Sequence, residues 1–231
     1  MNLFNTYLSD FCSLFFPALC CGCKTTLLRQ EELLCTKCIY NLPYTNHNLQ
    51  ENNQLEKIFW GRVNILGASA FLYFKQGGTV QRIMHQLKYN NRPDLGFLLG
   101  ELYGKHLIKH TEFKDYDAII PVPLYRTKEK KRGYNQSEKI ALGLGQSLDI
   151  PVNNSLLVRV KSTDSQVHKN RISRYENLKH SFIVKNNQPN LKKVILIDDT
   201  ITTGSTLEAC IEALNHNGIH EITVLGIAYA T

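Results

Sequence analysis

Residues 193–206 read KVILIDDTITTGST, and this stretch decides the fold. Val194, Ile195, Leu196 and Ile197 form an unbroken apolar run in which three of four residues are β-branched. Such a run suits a strand covered on both faces, as in a parallel sheet. Asp198 and Asp199 follow at its carboxyl end. Thr202, Thr203, Gly204, Ser205 and Thr206 come next, then a helical pattern of Leu207, Cys210, Ile211 and Leu214 that stops at Gly218. In open α/β sheets, ligands sit beyond the carboxyl ends of strands. A hydroxyl-rich turn that opens a helix presents unbonded N–H groups and the positive end of the dipole, which suits a phosphate. Paired carboxylates repel phosphate and suit neighbouring hydroxyls, such as the 2′ and 3′ groups of a ribose. A ribose 5-phosphate meets both demands. An ordinary strand–turn–helix with a capping hydroxyl is the plainer alternative, but it needs neither the twin acids nor three hydroxyls around a glycine. The sequence holds no Gly-x4-Gly-Lys-Ser/Thr, so a nucleotide P-loop does not compete.

These elements resemble the motif with which type I phosphoribosyltransferases bind phosphoribosyl pyrophosphate (PRPP): apolar strand, Asp-Asp, then Thr-Thr-Gly-x-Thr. The resemblance implies an α/β fold with a parallel sheet flanked by helices. It implies that Asp198 and Asp199 serve the reaction by holding the ribose hydroxyls. Thr200, Thr202, Thr203, Gly204, Ser205 and Thr206 would surround the 5′-phosphate.

Composition agrees with one α/β core plus a small appendage: 231 residues, 43% hydrophobic. A formal net charge of +7 and a pI near 9.0 favour an anionic partner, PRPP and nucleic acid among them, without bearing on the fold. The first basic residue is Lys24, so the N-terminus lacks the charged start of a secretion signal. With no apolar run long enough to span a membrane, the sequence points to a cytoplasmic protein. Seven cysteines, four of them in CxxC pairs, read as metal ligands in a reducing compartment rather than as disulfides.

In chain order, Leu3, Phe4, Tyr7, Leu8, Phe11, Leu14 and Phe15 recur at helical spacing. Cys20-x2-Cys23 and Cys35-x2-Cys38 then supply four thiolates, enough for a closed structural zinc site. Cys21 is a possible substitute for Cys20, and a set of reduced core cysteines is the alternative. Residues 1–45 are thus expected to be a helix and zinc-ribbon-like segment. Residues 46–60, rich in asparagine and glutamine, are expected to be a linker, and residues 61–231 the main domain. There, Ile65 to Phe74 reads as strand; Val80 to Leu87 and Leu95 to Leu107 read as helices. His106 and His110 stand one turn apart, more in keeping with a surface pair than with chelation. Asp117 to Val122 is a second buried strand, followed by a basic loop, RTKEKKRGYNQ, from Arg126. By the resemblance this is the pyrophosphate loop, with Arg126, Arg132 and Lys88 neutralising the leaving group; a cis Val122–Pro123 bond is admissible there. Leu156 to Val160 reads as a short strand. The polar stretch after it, with Arg159, Gln166 and Arg174, matches a flexible loop that closes over bound PRPP in related enzymes.

Across nearly its whole length the chain resembles the ComF family of bacterial competence proteins. The motifs are Phe16-Pro17-x2-Cys20 with the second CxxC, Leu87-Lys88-Tyr89, Pro121-Val122-Pro123, Arg132-Gly133-Tyr134-Asn135-Gln136, then Arg159, Thr163, Gln166, Arg174, Asn177 and Phe182. The resemblance implies structural zinc at Cys20, Cys23, Cys35 and Cys38, Mg²⁺ bound with PRPP, and a part in DNA uptake or nucleoside metabolism. Two other readings stand beside the enzyme. One is a non-catalytic PRPP or nucleotide sensor that binds single-stranded DNA, with Tyr125, Tyr134 and Tyr175 as stacking aromatics beside basic loops. The other is an adaptor docking a competence helicase.

Overall fold

A computed structural model describes residues 15–109, 113–160, 181–185 and 190–230. Its centre is a parallel sheet of four strands: β1 (Gly67–Phe74), β2 (Ala118–Pro121), β5 (Lys193–Ile201) and β6 (Glu221–Ala230), in the order β1-β6-β5-β2. The deciding stretch is interior strand β5, and Val194 to Ile197 are all fully buried between two apolar layers. A separate antiparallel pair, β3 (Leu157–Arg159) with β4 (Phe182–Val184), lies alongside. The sheet is extended at both ends by short pieces: Tyr44 bridges Leu72 antiparallel, and Val152 bridges Ile119 parallel.

Two short helices, α1 (Thr36–Tyr40) and α2 (Gln54–Lys57), precede the sheet. One apolar layer holds α3 (Thr79–Tyr89), α4 (Pro93–Leu107) and α6 (Gln136–Leu148), which follows α5 (Arg126–Arg132). The other holds α7 (Ser205–Asn215) and α2. Helices α4 and α6 meet backbone to backbone. A Cβ on Gly100 would stand 2.0 Å from the Ile140 carbonyl oxygen, and one on Gly143 2.0 Å from that of Phe97, so only glycine fits at either place.

Two expectations change. The basic loop after Arg126 is the seven-residue helix α5, ending on left-handed Gly133 (φ 83°). Lysine, arginine and glutamate favour helix, and cations in the last turn suit the dipole. With no residue of α5 buried, no apolar period betrayed it. Residues 46–60, expected as a linker, pack closely: the Asn53 side chain caps α2, accepting from the N–H groups of Leu55 and Glu56 at 3.0 Å, and Leu55 and Phe59 are fully buried. No peptide bond among the described residues is cis, Val122–Pro123 included. The apolar helix expected before Phe15 lies outside the described residues.

Candidate phosphoribosyl site and metal centre

Strand β5 carries two carboxylates, Asp198 and Asp199, near its carboxyl end and in different surroundings. Asp198 lines a small open hollow together with Thr200, Thr202, Thr203, Gly204, Ser205 and Thr206. Its Oδ1 accepts from the Ser137 hydroxyl at 3.0 Å and from the Asp199 N–H at 2.8 Å. Asp199 is buried and does not line the hollow. It pairs instead with Lys88, whose Nζ stands 2.9 Å from Oδ1 and donates to the Thr200 hydroxyl at 3.1 Å. Protein packed around the Asp198 carboxyl pushes it up to about 7, and the neighbouring Asp199 charge adds to the rise. The Asp199 N–H, Lys88 and Ser137 oppose it.

The turn is built for close approach. Gly204 is left-handed (φ 76°) and caps α7 without a side-chain bond. An added Cβ there would meet Ile58 at 3.1 Å and Phe59 at 3.2 Å, so the turn lies directly on the segment that carries α2. The Thr203 and Ser205 hydroxyls stand 3.1 Å apart. Clustered hydroxyls over a helix start, where among the described residues only the Ser205 N–H reaches a side chain (Thr203 Oγ1, at 3.5 Å), offer an anion several donors at once.

Lys88 is therefore at the site, and the other expected residues are spread around it. Arg132 donates to Gln136 Oε1 at 2.7 Å and lies over the Tyr89 ring at 5.5 Å, one residue from Lys88, while Arg126 opens exposed helix α5; neither lines the hollow. Arg159 lies over Phe182 at 5.3 Å. Burial depresses its pKa, and the Asp198 carboxylate acts the other way. Gln166, Arg174 and Tyr175 lie outside the described residues. Tyr134 cannot stack on a base: it is buried and its hydroxyl donates to the Leu87 carbonyl. His106 bonds Asn48 through Nε2 at 2.8 Å.

Two residues escaped the sequence reading. Ser137 directly follows the quoted Asn135-Gln136 and could have been found from that motif. Arg62 donates to the carbonyls of Ile58 at 2.7 Å and Thr203 at 3.2 Å and pairs with Glu208. It lies 141 positions before Thr203 with no local signal.

At the other end of the chain, the Sγ atoms of Cys20, Cys23, Cys35 and Cys38 lie within 4.8 Å of one another, with Cys23 and Cys35 at 3.6 Å. Tetrahedral zinc with Zn–S of about 2.3 Å separates its sulfurs by about 3.8 Å. The donor set fits. Cys20 Sγ accepts from the N–H groups of Gly22 at 3.4 Å and Cys35 at 3.3 Å, and Cys35 Sγ from that of Cys38 at 3.4 Å. The Thr25 hydroxyl lowers Cys23 to about 6, and burial raises Cys38. Cys21 is buried outside the cluster.

Known proteins bear on this geometry. The phosphoribosyl transferase domain family matches residues 130–229. Competence protein F of Haemophilus influenzae is 32% identical, covering 94% of this chain and 99% of its own length. This chain belongs to the ComF family. The DNA utilization protein YhgH of Salmonella typhimurium is 28% identical over 88% of the chain and 87% of its own. ComFC of Bacillus subtilis is 33% identical over 44% of the chain and 39% of its own. The ComF chain described here carries a type I phosphoribosyltransferase-like sheet with a cysteine cluster near its N-terminus. No helix among the described residues is long and apolar enough to cross a membrane.

Proposed function

We propose that this ComF protein binds PRPP as its Mg²⁺ complex and transfers the phosphoribosyl group, in DNA uptake or nucleoside metabolism. The observation that carries this is one hollow at the end of β5 in which Asp198 and the Thr202–Thr206 turn meet, with Asp199 held beside it by Lys88. The turn and the α7 amides would take the 5′-phosphate. The carboxylates would accept from the ribose hydroxyls and stabilise positive charge on the ring as an acceptor nucleophile bonds to C1 and the C1–oxygen bond to pyrophosphate breaks, through an oxocarbenium-like state. Lys88, Arg126 and Arg132 would receive the departing pyrophosphate. Magnesium, when bound with the substrate, would supply further charge neutralisation. Cys20, Cys23, Cys35 and Cys38 would hold a structural zinc, since four protein ligands leave no open position. Thermal unfolding tests the donor: Mg–PRPP should raise the midpoint, and no shift at millimolar ligand would remove the reading.

A second reading rests on helix α5, which buries none of its side chains, and on exposed Tyr89 beside Arg132. Together with relatives named for competence and DNA utilization, these support single-stranded DNA as a partner, with a competence helicase docked elsewhere. On this reading PRPP is sensed rather than consumed. DNA affinity should fall steeply with salt as counterions are released. Release of pyrophosphate with candidate acceptors separates the two readings.

A further inference from the structure

Arg62 lies on neither the sheet nor the helix of the phosphoribosyl motif, and outside residues 130–229, yet it grips both the turn and α7. Its Nη1 donates to the carbonyls of Ile58 and Thr203, and its Nε pairs with Glu208. Glu208 sits in the first turn of α7 and is almost fully buried. A buried carboxylate so close to the helix start opposes any phosphate placed there, unless a cation cancels it. Arg62 supplies that cation. Its hold on the Thr203 carbonyl also sets the peptide plane: in a trans peptide C=O and N–H point opposite ways, so the Gly204 N–H is turned away from Arg62. Ile58 and Phe59, a few positions before Arg62, fill the space where a Cβ on Gly204 would stand.

We infer that Arg62 is a positioning residue for the phosphate turn, which orients the Thr203–Gly204 peptide and neutralises Glu208 so that the α7 start can hold the 5′-phosphate. This rests on the donor-site reading above. A lysine cannot replace it, because a single ammonium lacks the planar fork that reaches two carbonyls and a carboxylate together.

The test is titration calorimetry with ribose 5-phosphate and, separately, Mg–pyrophosphate, on the full chain and on variants shown to be folded by far-UV circular dichroism. Arg62→Gln should weaken ribose 5-phosphate by about 10- to 100-fold, as expected when a displaced turn misplaces a ligand, and leave Mg–pyrophosphate within about twofold. Adding Glu208→Gln to that variant should recover part of the loss by removing the opposing charge, which a general loss of packing would not do. Wild-type affinity in Arg62→Gln, or equal losses for both ligands, would overturn the inference. Should Arg62→Gln fail to fold, Arg62→Lys carries the test, with weakened ribose 5-phosphate expected and unchanged affinity contrary. If the unaltered chain does not bind ribose 5-phosphate at all, the donor-site reading itself is overturned.

Discussion

Asp198 and Asp199 are chemically identical neighbours that the fold treats differently. Asp199 has Lys88 at 2.9 Å, whereas burial, and after it the neighbouring Asp199 charge, push Asp198 up to about 7. A carboxyl raised in this way holds its proton in the folded chain at pH values where the unfolded chain has released it. Stability therefore declines as pH rises from the ordinary aspartate value of about 4 towards about 7, and the loss is complete above that window. Asp198→Asn keeps the acceptor for Ser137 and removes the charge. It should stabilise the empty protein above pH ~7 by about 0.5–2 kcal/mol, roughly 2–4 °C per kcal/mol, and match wild type near pH ~4. Midpoints measured at both pH values check this; a lower midpoint for the variant at the higher pH would contradict it. Ligand binding to the ionised form predicts the companion effect, that affinity for Mg–PRPP weakens as pH falls below about 7. The twin acids were legible in the sequence. Their division of labour was not, because it is set by Lys88 and Ser137 from distant parts of the chain.

At the scale of elements, strand β5 and helix α7 could be read directly, since an unbroken apolar run and a helical period are local signals. The helix α5 and the packed segment around Leu55 and Phe59 could not. The first buries nothing, and the second buries two residues whose partners, including Gly204, lie far along the chain. That packing makes the turn sensitive. Gly204→Ala forces a Cβ into left-handed backbone and against Ile58 and Phe59, so it should cost about 1–3 kcal/mol and weaken phosphate binding together with stability. Denaturant unfolding would show a lower midpoint at unchanged slope; an unchanged midpoint would mean that the turn is not held as described.

The whole molecule joins an N-terminal cysteine cluster to a parallel sheet, and the sequence showed both because each is written in short motifs. The choice between Cys20 and Cys21 needed three dimensions. Metal analysis should therefore find about one zinc per chain, retained in Cys21→Ser and lost in Cys20→Ser, and retention in Cys20→Ser would break the assignment. The central claim is that the carboxyl end of β5 grips a phosphorylated ribose. Titration calorimetry with Mg–PRPP tests it most directly, comparing the unaltered chain with the Asp198→Asn, Asp199→Asn double variant. The account predicts saturable binding of about one ligand per chain that the double variant abolishes. Equal affinity in the two proteins would contradict it.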